Sequence, residues 1–304
     1  MAQQSNLQIG LAVSGPLAES LAGCLGQKRG HVVGRLSEYV DLLHLTSTLD
    51  APMKPEIAQL YARQVASNPD FTFTAAVGSR FTYDRDLDAD ALRAWKQGFM
   101  PLKRAGRLAT LTMQFPWSFR FTAENREHLI RLRRAFHEFN LSAEFRHESW
   151  LAEEAVSTLI NYHVSLVNMD QPVYFRALPP TAILTAGTAV VMMHGRSSPT
   201  VFGTFDRHAA PGPYRYTTEE LEGWLPRLRR LATNATRTLV VFDNTGAANA
   251  MMNALLVAEM MGVSRLKAPA ELIGRFPREL GSFHARGPVQ QLLLPRYVPD
   301  SAVA

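Results

Sequence analysis

Short apolar runs rich in Val, Leu, Phe and Thr recur along the chain, and between most of them the apolar residues switch to helical spacing. That alternation is the pattern of parallel βα units, in which each strand is followed by a helix that returns the chain across the sheet. The runs fall at 7–13, 39–48, 71–77, 108–115, 141–147, 164–170, 188–195 and 238–244. Eight such units predict an α/β fold closed into a single (β/α)8 TIM barrel. At 304 residues the length suits one such domain, with a core over about 7–262. The stretch 264–304 carries Pro269, Pro277, Pro288, Pro295 and Pro299, which predicts an irregular C-terminal strap with a short helical part.

The helical segments carry their own start and stop signals. Thr122 is placed to cap a helix whose Leu129, Leu132, Phe136 and Phe139 share a face, with Arg131, Arg133 and Arg134 turned away. Thr217 and Glu220 have capping-box spacing ahead of a stripe made by Leu221, Trp224, Leu225, Leu228 and Leu231, which Pro226 is expected to kink. The last helix of the core ends near Gly262, a C-cap residue type. Two connections break the pattern. The segment after strand six, "QPVYFRALPPTAILTAG", has too much proline for a long helix, and the one after strand seven, "RSSPTVFGTFDRHAAPGPYRYT", is a long Pro/Gly loop of the kind that often serves function.

Composition excludes several classes. A single cysteine, Cys24, rules out an intrachain disulfide and a thiolate metal cage, and favours a reducing cytoplasmic setting. No stretch has the length and apolarity of a membrane span, and the N-terminus lacks the basic start of a signal peptide. The net charge of +5 is compatible with an anionic ligand. The arginines of "REHLIRLRR" read as a solvated helix face rather than a nucleic-acid surface, and oligomeric state is left open. There is no Walker loop, G-x-G-x-x-G, G-x-S-x-G or CxxC pair, so nucleotide cofactors and acyl-enzyme chemistry lack a sequence basis.

Polar residues gather at the ends of the apolar runs, where a barrel of this type opens. They are His44 after strand two, Gln114 after four, Glu144, Arg146 and His147 after five, Asn168 and Asp170 on six, His194 and Arg196 after seven, and Asp243 and Asn244 after eight. Side chains alternate along a strand, so Glu144 and Arg146 share a face, as do Asn168 and Asp170. If that face is the lumen, the groups converge; if not, Glu144 and Arg146 form a buried ion pair that binds nothing. Arg146 and Arg196 together would make a fork for a phosphate or carboxylate, near the small residues Gly246, Ala247 and Ala248 at a helix start. His44, Glu144, His147, Asp170, His194 and Asp243 supply enough imidazole and carboxylate for Zn, Mn or Fe, yet no spacing demands a metal, and no cofactor is expected. His147 has the opposite parity to Glu144 and reads as a structural histidine.

The run "EFRHESW" resembles the E-F-R-H-x-S-W signature of the YecE-like family, the domain of unknown function 72, whose fold is a TIM barrel. "MQFPWSF", "DQP", "HGR", "YRYTTEELEGW" with Tyr216, and "FDNTGAANAMMNA" resemble further family segments in the same order, over about 7–262. The first half departs from the family pattern. "AVSGPL" stands in place of G-W-x-Y, and "LLHLTSTL" in place of V-E-I-N-S-T-F-Y, which sets His44 at the family's acid and Thr46 at its Asn. A family lysine falls near Gly78, and the arginine two positions before H-G-R is Met192.

The resemblance implies a fold and a site, not a substrate. The reading is a barrel whose mouth binds a small anionic molecule, phosphorylated compounds included. Arg146, Arg196, Asn244, Tyr216, Gln114 and His44 line the ligand, while Glu144, Asp170 and His194 serve general acid/base chemistry. The rival readings are a metal-assisted hydrolase and a barrel that senses or scaffolds without catalysis.

Overall fold

The computed structural model describes residues 6–13, 25, 32–197, 214–244, 246–263 and 267–286. Cys24, most of the long loop after strand seven and the end of the tail lie outside the described residues.

Eight parallel strands close into a barrel in sequence order, β1 (Leu7–Val13), β2 (Leu42–Leu45), β3 (Thr72–Ala76), β4 (Leu108–Gln114), β5 (Leu141–Glu144), β6 (Val164–Asp170), β7 (Thr188–Met193) and β8 (Arg237–Phe242), with β8 pairing β1. The helices outside are α1 (Val32–Leu36), α2 (Pro55–Gln64), α3 (Ser79–Thr82), α4 (Ala89–Arg104), α5 (Ala123–Ala135), α6 (Glu153–Asn161), α7 (Thr218–Glu222), α8 (Leu225–Asn234) and α9 (Ala247–Met260). This is a (β/α)8 TIM barrel. The β6–β7 crossover, 171–187, contains no helix, as its prolines led one to expect. Within the tail, α10 (Ala270–Arg275) is the short helical part expected there, while β9 (Lys267–Pro269) and β10 (His284–Arg286) pair in parallel on either side of it, two short strands where the prolines suggested an irregular path.

Local chemistry sets the ends of the helices. The Thr122 hydroxyl accepts from Asn125 N at the start of α5, and Thr217 and Glu220 complete a capping box at the start of α7. Pro226 does not kink one long helix. The chain breaks at Gly223–Trp224, and Pro226 lies in the first turn of α8, where its missing N–H leaves no bond unmade. After α9, Gly262 takes φ +73° and its N–H donates to Glu259 O while Val263 N–H donates to Ala258 O, a Schellman closure.

The register decides which side chains enter the lumen. Laterally paired residues of a parallel sheet point to the same side. Pairing of Ala12 with His44, His44 with Thr74, Thr74 with Thr110, Thr112 with Ser142 and Gln114 with Glu144 puts all of these on one face. Across β5–β6, Ser142 pairs with Ser165, so the same face continues through Val167 and Met169, then Val190 and Met192, then Leu239 and Val241. The chain of pairs returns to Gln8 and Gly10 on β1, which closes the face as the lumen. One arc of that lumen is hydroxylic, with Thr112 Oγ1 and Ser142 Oγ 3.0 Å apart, and the opposite arc is Val, Met and Leu.

Candidate functional site

The same register separates residues that the sequence suggested would meet. Glu144 points into the lumen, and His194 and Asp243, one step beyond β7 and β8, continue the lumen phase. Asn168 and Asp170 have the opposite phase and face the helix layer. Asn168 bonds the β6–β7 crossover through Thr181 and Ile183. The polar strand ends therefore form two clusters on opposite sides of the barrel wall.

The opening of the lumen cluster is set by the run that follows Leu141. Phe145 alternates outward and stacks on Trp150 with ring centroids 3.7 Å apart, and Trp150 Nε1–H donates to Phe119 O at 2.7 Å. Burial of two such rings stabilises the strand end by roughly 3–6 kcal/mol, at ~1.5–3 kcal/mol for each large apolar side chain. It thereby fixes Glu144 and Arg146 on the inner side. His147 lies outside this cluster: its Nδ1 meets the Ser149 hydroxyl at 2.9 Å and accepts from Ser149 N, which caps the following turn. That is the structural role its parity suggested.

Inside the lumen Glu144 is fully buried, with Arg146 Nη2 at 2.5 Å and His194 Nε2 at 3.3 Å from its Oε1. Asp243 Oδ2 lies 3.0 Å from His194 Nδ1. His44, also fully buried, holds Thr74 Oγ1 at 2.8 Å through Nδ1. Arg146 Nη1 donates to Gln171 Oε1 at 3.0 Å, and its side chain keeps a quarter of its surface (26%) in solvent. Gln114 neighbours Glu144 across the β4–β5 ladder.

These neighbours set the protonation states. Burial opposes the Glu144 charge, but Arg146 and then His194 outweigh it and hold the carboxyl down at about 2. Burial likewise opposes a charged His194 and Arg146 repels it, yet Glu144 and the Asp243 bond push its imidazole up to about 9. His44 goes the other way: burial lowers it to about 4, against the pull of Asp243 and Glu144. At neutral pH Glu144 is therefore an anion beside the Arg146 and His194 cations, and His44 is a neutral imidazole.

Four buried polar atoms of this cluster lack a hydrogen-bond partner: Glu144 Oε1 and Oε2, His194 Nε2 and His44 Nε2. The Glu144 contacts to Arg146 and His194 are close ion pairs that fall outside hydrogen-bond alignment. Glu144 Oε1 and His194 Nε2 are compensated by these charges, so Glu144 Oε2 and His44 Nε2 are the atoms that most need a hydrogen bond, and a buried polar group left without one costs roughly 1–3 kcal/mol.

The outer cluster is closed by comparison. Asp170, almost fully buried, accepts from Arg196 Nε and Nη2 (2.7 Å), from Trp224 Nε1–H at 2.6 Å and from the Tyr216 hydroxyl at 3.2 Å. Arg196 Nη1 reaches Glu220 Oε1, so each of its nitrogens is held by a carboxylate. Burial and the Asp170 charge push the Tyr216 hydroxyl far above its ordinary range. Asn244 donates to Tyr214 O and Asn253 Oδ1 and lines this side as well. Asp170 is thus a saturated acceptor rather than a free base, and Arg196 cannot join Arg146 in a fork. Trp224 was legible only as an apolar stripe residue; its indole N–H carries a second role that no spacing reveals.

The pattern of the family of proteins of unknown function DUF72 matches residues 26–274. The chain belongs to this family. UPF0759 protein YunF of Bacillus subtilis (strain 168) is 24% identical over 207 residues, which cover 65% of this chain and 71% of that protein. The crystal structure of a DUF72 family protein from Enterococcus faecalis V583 superposes with a TM-score of 0.74 at 20% identity, covering 85% of this chain and 96% of that one. Another from Thermotoga maritima MSB8 gives 0.68 at 24% identity, covering 84% and 99%. Among the described residues no helix is long and apolar enough to cross a membrane, and no three of His, Cys, Asp and Glu are grouped to hold a metal ion.

One departure from the family pattern has a packing cause. A Cβ on Gly78 would lie 2.7 Å from Trp95 Cε2, and Trp95 is itself fixed by its Nε1–H donating to Thr48 O at 3.0 Å. The indole fills the place where a longer side chain would begin. Gly78→Lys is therefore expected to destabilise by about 1–3 kcal/mol, as overpacking does, instead of restoring the family lysine. Urea unfolding of the variant checks this; unchanged stability would mean that Trp95 moves aside freely.

Proposed function

We propose that the lumen mouth binds a small hydroxylated molecule with an anionic group, and that Glu144 and His194 exchange protons with it. What supports the reading is that buried Glu144 Oε2 and His44 Nε2 have no hydrogen-bond partner beside the Glu144–Arg146 and Glu144–His194 ion pairs. Glu144 accepts only, so it asks for a hydroxyl; protonated His194 donates only, so it asks for an oxygen acceptor. Arg146, part-exposed above them, is the anchor for a phosphate or carboxylate. Gln114 and His44 border the same space. Asp243 holds the far nitrogen of His194, which supports a protonated imidazole as the donor.

Arg196 contributes nothing to this anchor, and the comparison of the two arginines is the test. A panel of small hydroxylated phosphates and carboxylates is expected to contain compounds that raise the melting temperature of the wild type, since a ligand at 100 times Kd adds about 2.7 kcal/mol. Arg146→Gln should abolish the shift. Arg196→Gln should lower the melting temperature of the free protein but keep the shift. An equal rise in wild type and Arg146→Gln would overturn the assignment. Compounds that pass are then incubated in deuterated water: hydrogen exchange lost in Glu144→Gln supports proton transfer, and binding without exchange or turnover leaves a non-catalytic receptor.

A further inference from the structure

We propose that Asp170 and Tyr216, on the outer side of the barrel wall, form a positioning device that aims His194 into the lumen. Between His194 and Arg196 the chain turns from the inner to the outer face within one residue, Gly195, which adopts φ +86°. Only glycine takes this region readily, and a Cβ there would lie 2.7 Å from Tyr214 Cβ. The corner is gripped on both sides. His194 N–H donates to Asp170 O at 3.0 Å, and Gly195 N–H donates to the Tyr216 hydroxyl at 2.7 Å. Arg196 then folds back so that its guanidinium clasps the Asp170 carboxylate.

The Tyr216 oxygen is the atom that joins the two grips. It accepts from the Gly195 backbone and donates to Asp170 Oδ1. Trp224 Nε1–H fixes the other Asp170 oxygen from the helix layer. None of these groups shares the lumen with His194. The charged and titratable groups that do face the imidazole are Glu144 from β5, Asp243 from β8, His44 from β2 and Arg146 beyond β5. Tyr216→Phe and Trp224→Phe alter no charge, so they could reach His194 only by moving it, whereas Asp170→Asn also removes a charge and adds an electrostatic effect of its own. Its value to function rests on His194 being the working group of the mouth, as proposed above, but the test is made without ligand, so the two readings fail separately.

The test is the NMR titration of histidine side chains in the full chain, comparing wild type with Tyr216→Phe, Trp224→Phe and Asp170→Asn. Tyr216→Phe keeps the ring and deletes the one oxygen. The His194 midpoint, high in the wild type because of its two carboxylates, is expected to fall by roughly one pH unit or more as the imidazole leaves its place between them. Trp224→Phe should give a smaller fall and Asp170→Asn a larger one, while His128 and His147 titrate as before. A His194 midpoint unchanged in Tyr216→Phe and Trp224→Phe, with only a lower melting temperature, would overturn the proposal and leave the outer cluster a purely stabilising one. If Tyr216→Phe does not fold, Trp224→Phe, which removes the indole N–H bond to Asp170 along with part of the ring and leaves every charge in place, decides alone.

Discussion

Glu144→Ala is expected to cost about 3–5 kcal/mol of folding stability at pH 7, the loss typical of a buried ion pair deprived of one partner. The carboxylate is fully buried and touches two cations, Arg146 at 2.5 Å and His194 at 3.3 Å. Without it Arg146 retains Gln171 and a partial exposure to water, so part of its charge is still solvated. His194 has only Asp243 left and should lose its proton closer to neutral pH. Removing the cation as well should therefore return part of the loss: the double variant Glu144→Ala, Arg146→Met is expected to be less damaged than the sum of the two single changes. Denaturant unfolding of the four proteins closes the cycle. A Glu144→Ala loss below about 1 kcal/mol would show that water, rather than protein, already solvates this carboxylate, and the account of Glu144 as a buried, ion-paired carboxylate would go with it.

The Glu144 result also separates what the sequence could tell from what it could not. Strand positions were readable because a strand buried on both faces is a plain apolar run: Leu7–Val13 and Val164–Asp170 are the spans expected, and the others differ at their ends. Helix starts were readable where a side chain does the capping, as at Thr122 and Thr217. The phase between neighbouring strands was not. Glu144 and Asp170 both carry even numbers and both close a strand, yet Ser142 pairs with Ser165, so even residues of β5 match odd residues of β6. That offset is a property of the pairing between strands, not of either strand alone, and it moves Asp170 to the other side of the wall.

Residues of the family motifs meet on the outer side of that wall. Asp170, Arg196 and Tyr216 lie in the short motifs that carried the resemblance, and in this structure they bind one another. The group with unpartnered atoms is less conspicuous in sequence: His44 stands amid leucines, and Asp243 follows an apolar strand like any solvated end residue. Their place at strand ends was readable, but nothing in their spacing shows that they meet. Their meeting depends on barrel closure between β2 and β8, which are brought together through β1.

That meeting has a consequence in solution: stability is expected to peak near pH 6–7 and to fall on both sides for different histidines. His194 has a folded pKa near about 9 against 6.5 for the free side chain, so its contribution is complete below 6.5 and is lost as pH rises through 9. The size of that alkaline limb is roughly 3 kcal/mol, since each tenfold change in proton affinity is worth about 1.4 kcal/mol. His44 has the reverse sign. Its folded value near about 4 means that the unfolded chain takes up its proton first, so stability falls as pH drops from 6.5 towards 4, again by roughly 3 kcal/mol. Buried His128, lowered to about 4 by desolvation while its Nε2 meets Phe81 O, adds to the same acid limb, and Glu144, held at about 2, extends it below pH 4.5. Urea unfolding between pH 4 and 9 should thus give a dome. His194→Asn should flatten its alkaline side and leave the acid side standing, whereas His44→Asn should reduce the acid side only in part, because His128 and Glu144 remain. A wild type equally stable at pH 6.5 and 9 would mean that His194 is not held as a cation between Glu144 and Asp243, and the proton donor assigned to the mouth would be lost with it.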